Sequence, residues 1–155
     1  MPKSNRIDWD DSATAGQNAR SKLPALVEHY FRIGRKVAAP GSPEAALHQF
    51  RLTTKRLRYT LEFFRFCYGP GLGKRLAVLR EVQSCLGEIS DCAVTRELAA
   101  GMLRARWAEG QRADRFLRGR ARRKTAQFRQ YWREVVDVPG EERRWQNYLA
   151  KEGGL

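Results

Sequence analysis

Apolar residues recur along this chain at three- and four-residue steps, the period of helices with one buried side. Leu23, Leu26, Val27, Tyr30, Phe31, Gly34, Val37 and Ala38 make the first such run. Pro24 near its beginning marks either a start just upstream or a kink. "APGSP" at 39–43 breaks the pattern. Ser42 there suits an N-cap, with Pro43 at the first helical position and Glu44 favourable in the first turn. A second helix is therefore predicted from Pro43 to about Tyr68, where "GPGLG" ends it. A third begins near Leu72, with Leu76, Leu79, Val82, Leu86, Ile89 and Ala93 on one side. Gly87 inside it is a local weak point, suited to a bend or a close helix contact.

A fourth run from about Ala108 to Val136 is densely basic and closes at "DVPG". Beyond it, Trp145 and Tyr148 lie in a short tail over 138–155 that can pack back as a small helix. Met1 to Ser12 is polar, acidic in "DWDD", and reads as a flexible arm. No alternating strand pattern occurs. The expected fold is all-α, an antiparallel bundle of about four long helices over 13–137, in one domain.

On a 3.6-residue helix the second segment divides into two faces. Phe50, Thr54, Leu57, Leu61 and Phe64 form a core stripe, with Leu47 at its edge. Beside it His48, Arg51, Lys55, Arg58, Tyr59, Glu62 and Arg65 fill an arc of roughly 120°, and Arg56 points elsewhere. Solvated helix faces usually mix signs, because like charges one turn apart cost a few tenths of a kcal/mol each. Here Glu62 is the single acid among four Lys or Arg and a His. An arc of this kind suits an anion. Extending about 25 Å at 1.5 Å per residue, it suits an extended polyanion better than one phosphate. Arginine would grip phosphate oxygens bidentately and lysine would act as a point charge.

Net charge agrees with that reading. Thirty Lys and Arg against seventeen Asp and Glu leave +13, a field that attracts nucleic acid, phosphate polymers or anionic lipid. Three cysteines, Cys67, Cys85 and Cys92, form no CxxC pair. With no apolar stretch of eighteen residues and no N-terminal apolar run, no membrane insertion is expected, and a reducing cytoplasm is the expected location.

The run "HQFRLTTKRLRYTLEFF" followed by "LREVQSCLGEISDCAV" resembles the CHAD family, α-helical domains named for a histidine and associated with inorganic polyphosphate. The resemblance rests on His48, Arg51, Lys55, Arg56 and Arg58, then on Leu86, Gly87 and Asp91. It is strong over 44–95 and weaker from about 20 to 136. Ser90 and Ala93 depart from the Arg-Asp and further Asp of some members. The resemblance implies a bundle whose basic helices line a polyphosphate channel, with no catalysis and no cofactor, and with association to polyphosphate granules in some members. Family domains generally hold two similar repeats facing each other across that channel. This chain looks like the C-terminal repeat alone, half of a CHAD-like double bundle, so a homodimer is expected to supply the other half.

Other chemistry is weaker. In the fourth helix Arg120 and Lys124 fall on the apolar side with Phe116, Leu117, Phe128, Tyr131 and Val135, so they can point into the ligand groove, whereas Arg115, Arg118, Arg122 and Arg129 read as general surface charge. Binding of nucleic acid by the same basic surface is the alternative. No helix-turn-helix spacing, zinc-finger ligands or RNP-like segment is present, and the aromatic residues fall mostly on core faces. Asp91 with Glu88 or Glu81 could be imagined around Mg²⁺, but acids beside arginines on helices are more often ion-paired. Asp91 is read as organising a nearby arginine or the local helix geometry. His29 reads as structural, and the cysteines and histidines complete no metal site. The Glu-x-Glu-x-Lys strand of the polyphosphate-handling enzymes that accompany CHAD domains in some chains is absent.

Overall fold

A computed structural model describes residues 6–151. Five α-helices follow one another: α1 (Ala15–Ala38), α2 (Glu44–Phe63), α3 (Gly71–Met102), α4 (Trp107–Tyr131) and α5 (Glu141–Lys151), with no strand among the described residues. The first four run up and down as an antiparallel bundle. None of the helices is long and apolar enough to cross a membrane among the described residues.

Each boundary has a local cause. Thr14 caps α1: its hydroxyl accepts from the Gln17 amide while the Gln17 side chain accepts from the Thr14 amide, a reciprocal capping box. The helix therefore starts well before the first apolar run, and Pro24 sits inside it. Ser42 does not cap α2. Its hydroxyl lies 2.6 Å from the Val37 carbonyl and 2.8 Å from that of Ala39, closing the end of α1 instead. Gly41 between the two helices has φ 83°, a left-handed turn that favours glycine. The residue before α2 is Pro43, which offers no side-chain cap.

At its other end α2 stops at Phe63, five residues short of Tyr68, and a short 3₁₀ turn over Arg65–Cys67 takes the chain away. α3 runs through Gly87 without interruption.

The core is aromatic. Trp132 is buried among Tyr30, Phe31, Phe50 and Phe128, with ring centroids 5.5 to 6.3 Å away. It lies in a widened turn where the Asp137 amide donates to the Trp132 carbonyl, five residues back. The single-turn bulge brings the end of α4 against Gly34 of α1. Thr54, fully buried, donates to the Phe50 carbonyl at 2.8 Å and shares a 3.2 Å hydrogen bond with the Tyr30 hydroxyl, so its polar atom is satisfied.

The tail over 138–151 belongs to this core. Trp145 and Leu149 of α5 are buried, and Trp145 meets Phe31 edge-on at 5.6 Å. Arg35 of α1 forks to Asp137 and Glu142. The arm expected over Met1–Ser12 lies partly outside the described residues. From residue 6 onward it is fastened: Asn18 exchanges hydrogen bonds with the Asp10 backbone, and Trp9 packs on Phe64 at 5.2 Å.

Beyond Cys92 in α3, and before Phe128 in α4, no side chain is buried. The two helices thus continue as an arm past the core. Val94, Leu98, Met102, Trp107 and Phe116 stand exposed on it.

Candidate functional site

The residues of the predicted basic arc from His48 to Glu62 lie on α2, and α3 packs beside that helix. Arg58 donates to Gln83 of α3 at 2.9 Å, and Arg51 lies across Gly87 one turn further along. The helices are antiparallel, so Arg51 and Arg58 follow one another along the α2–α3 rim, with His48 and Lys55 on the neighbouring turns of α2.

Their electrical states differ. Arg58 is mostly buried and ion-paired with Glu62 at 2.8 Å, and Glu62 also holds Arg80 of α3 at 3.1 Å. Arg58 thus shares a single carboxylate with Arg80, whereas it was expected to be free for an anion. His48, Arg51 and Lys55 have no carboxylate within ion-pair distance among the described residues. Lys55 and Arg58 both approach the Tyr59 ring, at 5.6 and 4.4 Å, which holds them beside an exposed aromatic face.

Arg51 is the unusual member. Its Nε is buried and has no hydrogen-bond partner. A buried donor without an acceptor costs about 1–3 kcal/mol, more when charged. Gly87 lies against it: a Cβ built there would stand 3.7 Å from Arg51 Nε, an ordinary van der Waals contact. The glycine thus marks a close contact between helices within an unbroken α3.

The remaining predicted residues scatter. Arg56 is exposed on the opposite flank, where it lines a small cavity with Ile7, Leu26 and His29 of the α1 side. Arg120 is exposed. Lys124 bonds Glu88 of α3 at 2.9 Å, and that ammonium holds the Glu88 carboxyl below the usual carboxylate range. Glu88 follows Gly87, about 100° round α3, so Arg120 and Lys124 face a different side of α3 from the α2 arc. They do not join one groove. Asp91 is exposed and pairs with no arginine among the described residues, so the organising role expected for it has no contact to carry it. Arg65 leaves the arc because α2 has already ended.

Two features escaped the sequence reading. Phe63 is 70% exposed one turn beyond Tyr59, itself 50% exposed within the arc, so aromatic surface adjoins the basic residues. Glu62 also binds across to α3, a pairing that periodicity within one helix does not reveal. No cluster of three His, Cys, Asp or Glu able to hold a metal exists among the described residues.

The protein-family model for the CHAD domain matches residues 6–100, well over half of the chain. This protein belongs to the CHAD family. No curated protein and no solved structure matches it. The CHAD match takes in α1, α2 and nearly all of α3, and so the whole basic arc with Gly87. It stops before α4. Arg120 and Lys124 thus lie outside the CHAD segment, in keeping with their separation from the arc in space.

Proposed function

We propose that this CHAD domain binds inorganic polyphosphate along the α2–α3 rim, by charge and hydrogen bonding and without catalysis. The observation that carries the reading is half-buried Arg51, whose Nε lacks an acceptor, while His48 and Lys55 on either side lack counter-ions. A phosphate chain laid along the rim would supply oxygens to all three, and the protein's surplus positive charge would draw it in. Arg58, tied to Glu62, then acts mainly as a brace for the groove. Family membership supports a polyphosphate-related role, and a reducing cytoplasm, with attachment to polyphosphate granules, is the setting proposed for it.

Nucleic acid is the competing ligand. Exposed Tyr59 and Phe63 beside the basic residues favour it, since bases can stack on such rings. Competition at physiological salt separates the two. Long-chain polyphosphate is expected to displace both duplex DNA and single-stranded RNA, with log K falling linearly in log salt. Retention of RNA against excess polyphosphate would transfer the assignment to nucleic acid.

A homodimer is the proposed form, with a second copy covering the arm of α3 and α4. Val94, Leu98 and Met102 recur at four-residue steps and continue the flank of α3 that Gln83 and Gly87 present to α2. An exposed apolar row of that kind fits a self-complementary contact. Light scattering should give the mass of two chains, shifting to one when Leu98→Glu and Met102→Glu are combined. A stable monomer of the unaltered chain would remove the dimer from the proposal.

A further inference from the structure

A second basic cluster lies away from the rim. The start of α2 and the second halves of α3 and α4 border an open pocket of about 420 Å³ whose charged lining includes Arg96, Arg118, Arg122, Arg129 and Glu44. Asp114 takes two of the arginines: Arg118 at 2.7 Å and Arg96 at 3.2 Å. Those two guanidiniums hold the Asp114 carboxyl below the usual carboxylate range, Arg118 most of all. Arg96 also reaches Glu44 at 3.8 Å. Both acids are thus engaged. Arg122 and Arg129 have no carboxylate within ion-pair distance among the described residues, and Arg129 Nε is buried without an acceptor.

The start of α2 adds to this field. Ser42 and Glu44 line the cavity, so the positive end of a twenty-residue helix opens beside it. Ser42 has spent its hydroxyl on the carbonyls closing α1, and Pro43 offers no side-chain cap. Leu47, Ile89 and Ala121 supply an apolar wall, beside which charge interactions are less screened than in open water.

We propose that this cavity is a distinct site for a small phosphate-bearing anion, inorganic diphosphate or a compact phosphate ester, gripped by Arg122 and Arg129. The volume falls within the range of small-molecule sites and suits a short anion rather than the extended polymer assigned to the rim. Its gripping residues lie on α4, beyond the segment that matches the CHAD family. Phosphate rather than carboxylate is favoured because two unpaired guanidiniums and a helix start together offer more donors than two carboxylate oxygens can accept.

Titration of the intact chain with inorganic diphosphate, read by calorimetry and by the rise in melting temperature, tests this. Saturable binding at one site per chain is expected, unchanged in a variant carrying Arg51→Glu and Lys55→Glu. Arg122→Gln, at an exposed position, should weaken it about tenfold or more, the loss of one charge-assisted contact, and adding Arg129→Gln should remove it. Long-chain polyphosphate binding should show the opposite pattern, surviving Arg122→Gln and failing in the rim variant. The proposal is overturned if diphosphate does not saturate, if Arg122→Gln leaves its affinity unchanged, or if the rim variant abolishes it. Failure of the polyphosphate reading alone would leave the diphosphate titration intact.

Discussion

Reversing Arg51 and Lys55 together to glutamate is expected to lower polyphosphate affinity at least about 100-fold while leaving the far-ultraviolet circular dichroism unchanged. Each loses a charge-assisted contact of about 1.5–3 kcal/mol, and 1.4 kcal/mol is tenfold. The slope of log K against log salt should flatten by about two, one for each cation withdrawn from the phosphates. Lys55 is only partly buried and is not ion-paired within the chain, and Arg51 bonds nothing through Nε, so no ion pair is broken by the change. Arg120→Glu with Lys124→Glu provides the contrast. Those residues face another side of α3 and Lys124 is already bonded to Glu88, so the effect should be small. Equal losses from both pairs would mean that the protein's overall charge, not the rim, holds the polymer.

Arg51 also allows ligand binding and stability to be separated. Its unpartnered Nε burdens the folded state. Arg51→Met keeps an apolar stem beside Gly87 and should leave stability unchanged or slightly raised while weakening polyphosphate. A loss of stability and binding together would make Arg51 a packing residue.

The largest stability effect is expected from adding one methyl group to α1. In Gly34→Ala the new Cβ would sit 2.0 Å from Trp132 Cη2 and 2.2 Å from Cζ2, far inside contact distance. The indole cannot yield cheaply, being fully buried against Tyr30, Phe31, Phe50 and Phe128. Overpacking costs about 3 kcal/mol at the upper end of its usual range. Roughly 1 kcal/mol is returned by the better helix propensity of alanine. The net loss of about 2 kcal/mol corresponds to a fall of about 4–8 °C in melting temperature for a domain of this size. Trp132→Phe, which removes the ring atoms that the methyl meets, should make Gly34→Ala much less harmful. Additive losses in the double variant would show that the two positions do not press on each other.

How much of this could be read from residue order alone varies by feature. The all-α class, the apolar stripes and the basic arc on α2 were legible because helical periodicity repeats within a single segment. His48, Arg51 and Lys55 do share one flank, as their spacing requires. Gly87 was recognised as exceptional, but its partner was not, because Arg51 belongs to another helix. Ser42 carried a cap signature yet closes the preceding helix, since its hydroxyl reaches carbonyls on either side of a tight turn. Arg120 and Lys124 were assigned to the apolar side of their helix, yet Arg120 is exposed, and the neighbour that Lys124 meets, Glu88, depended on packing.

Periodicity states which side chains share a face. It does not state which helix lies against that face, or at what register. Helix, charge stripe and family membership follow from distances along the chain, where covalent geometry sets every spacing. Counter-ions, cavities and orphaned donors arise between segments, where distance along the chain carries no information about distance in space. That is why the pairing of Arg58 with Glu62, the unpartnered Nε of Arg51 and the α4 pocket emerged only once the five helices were packed.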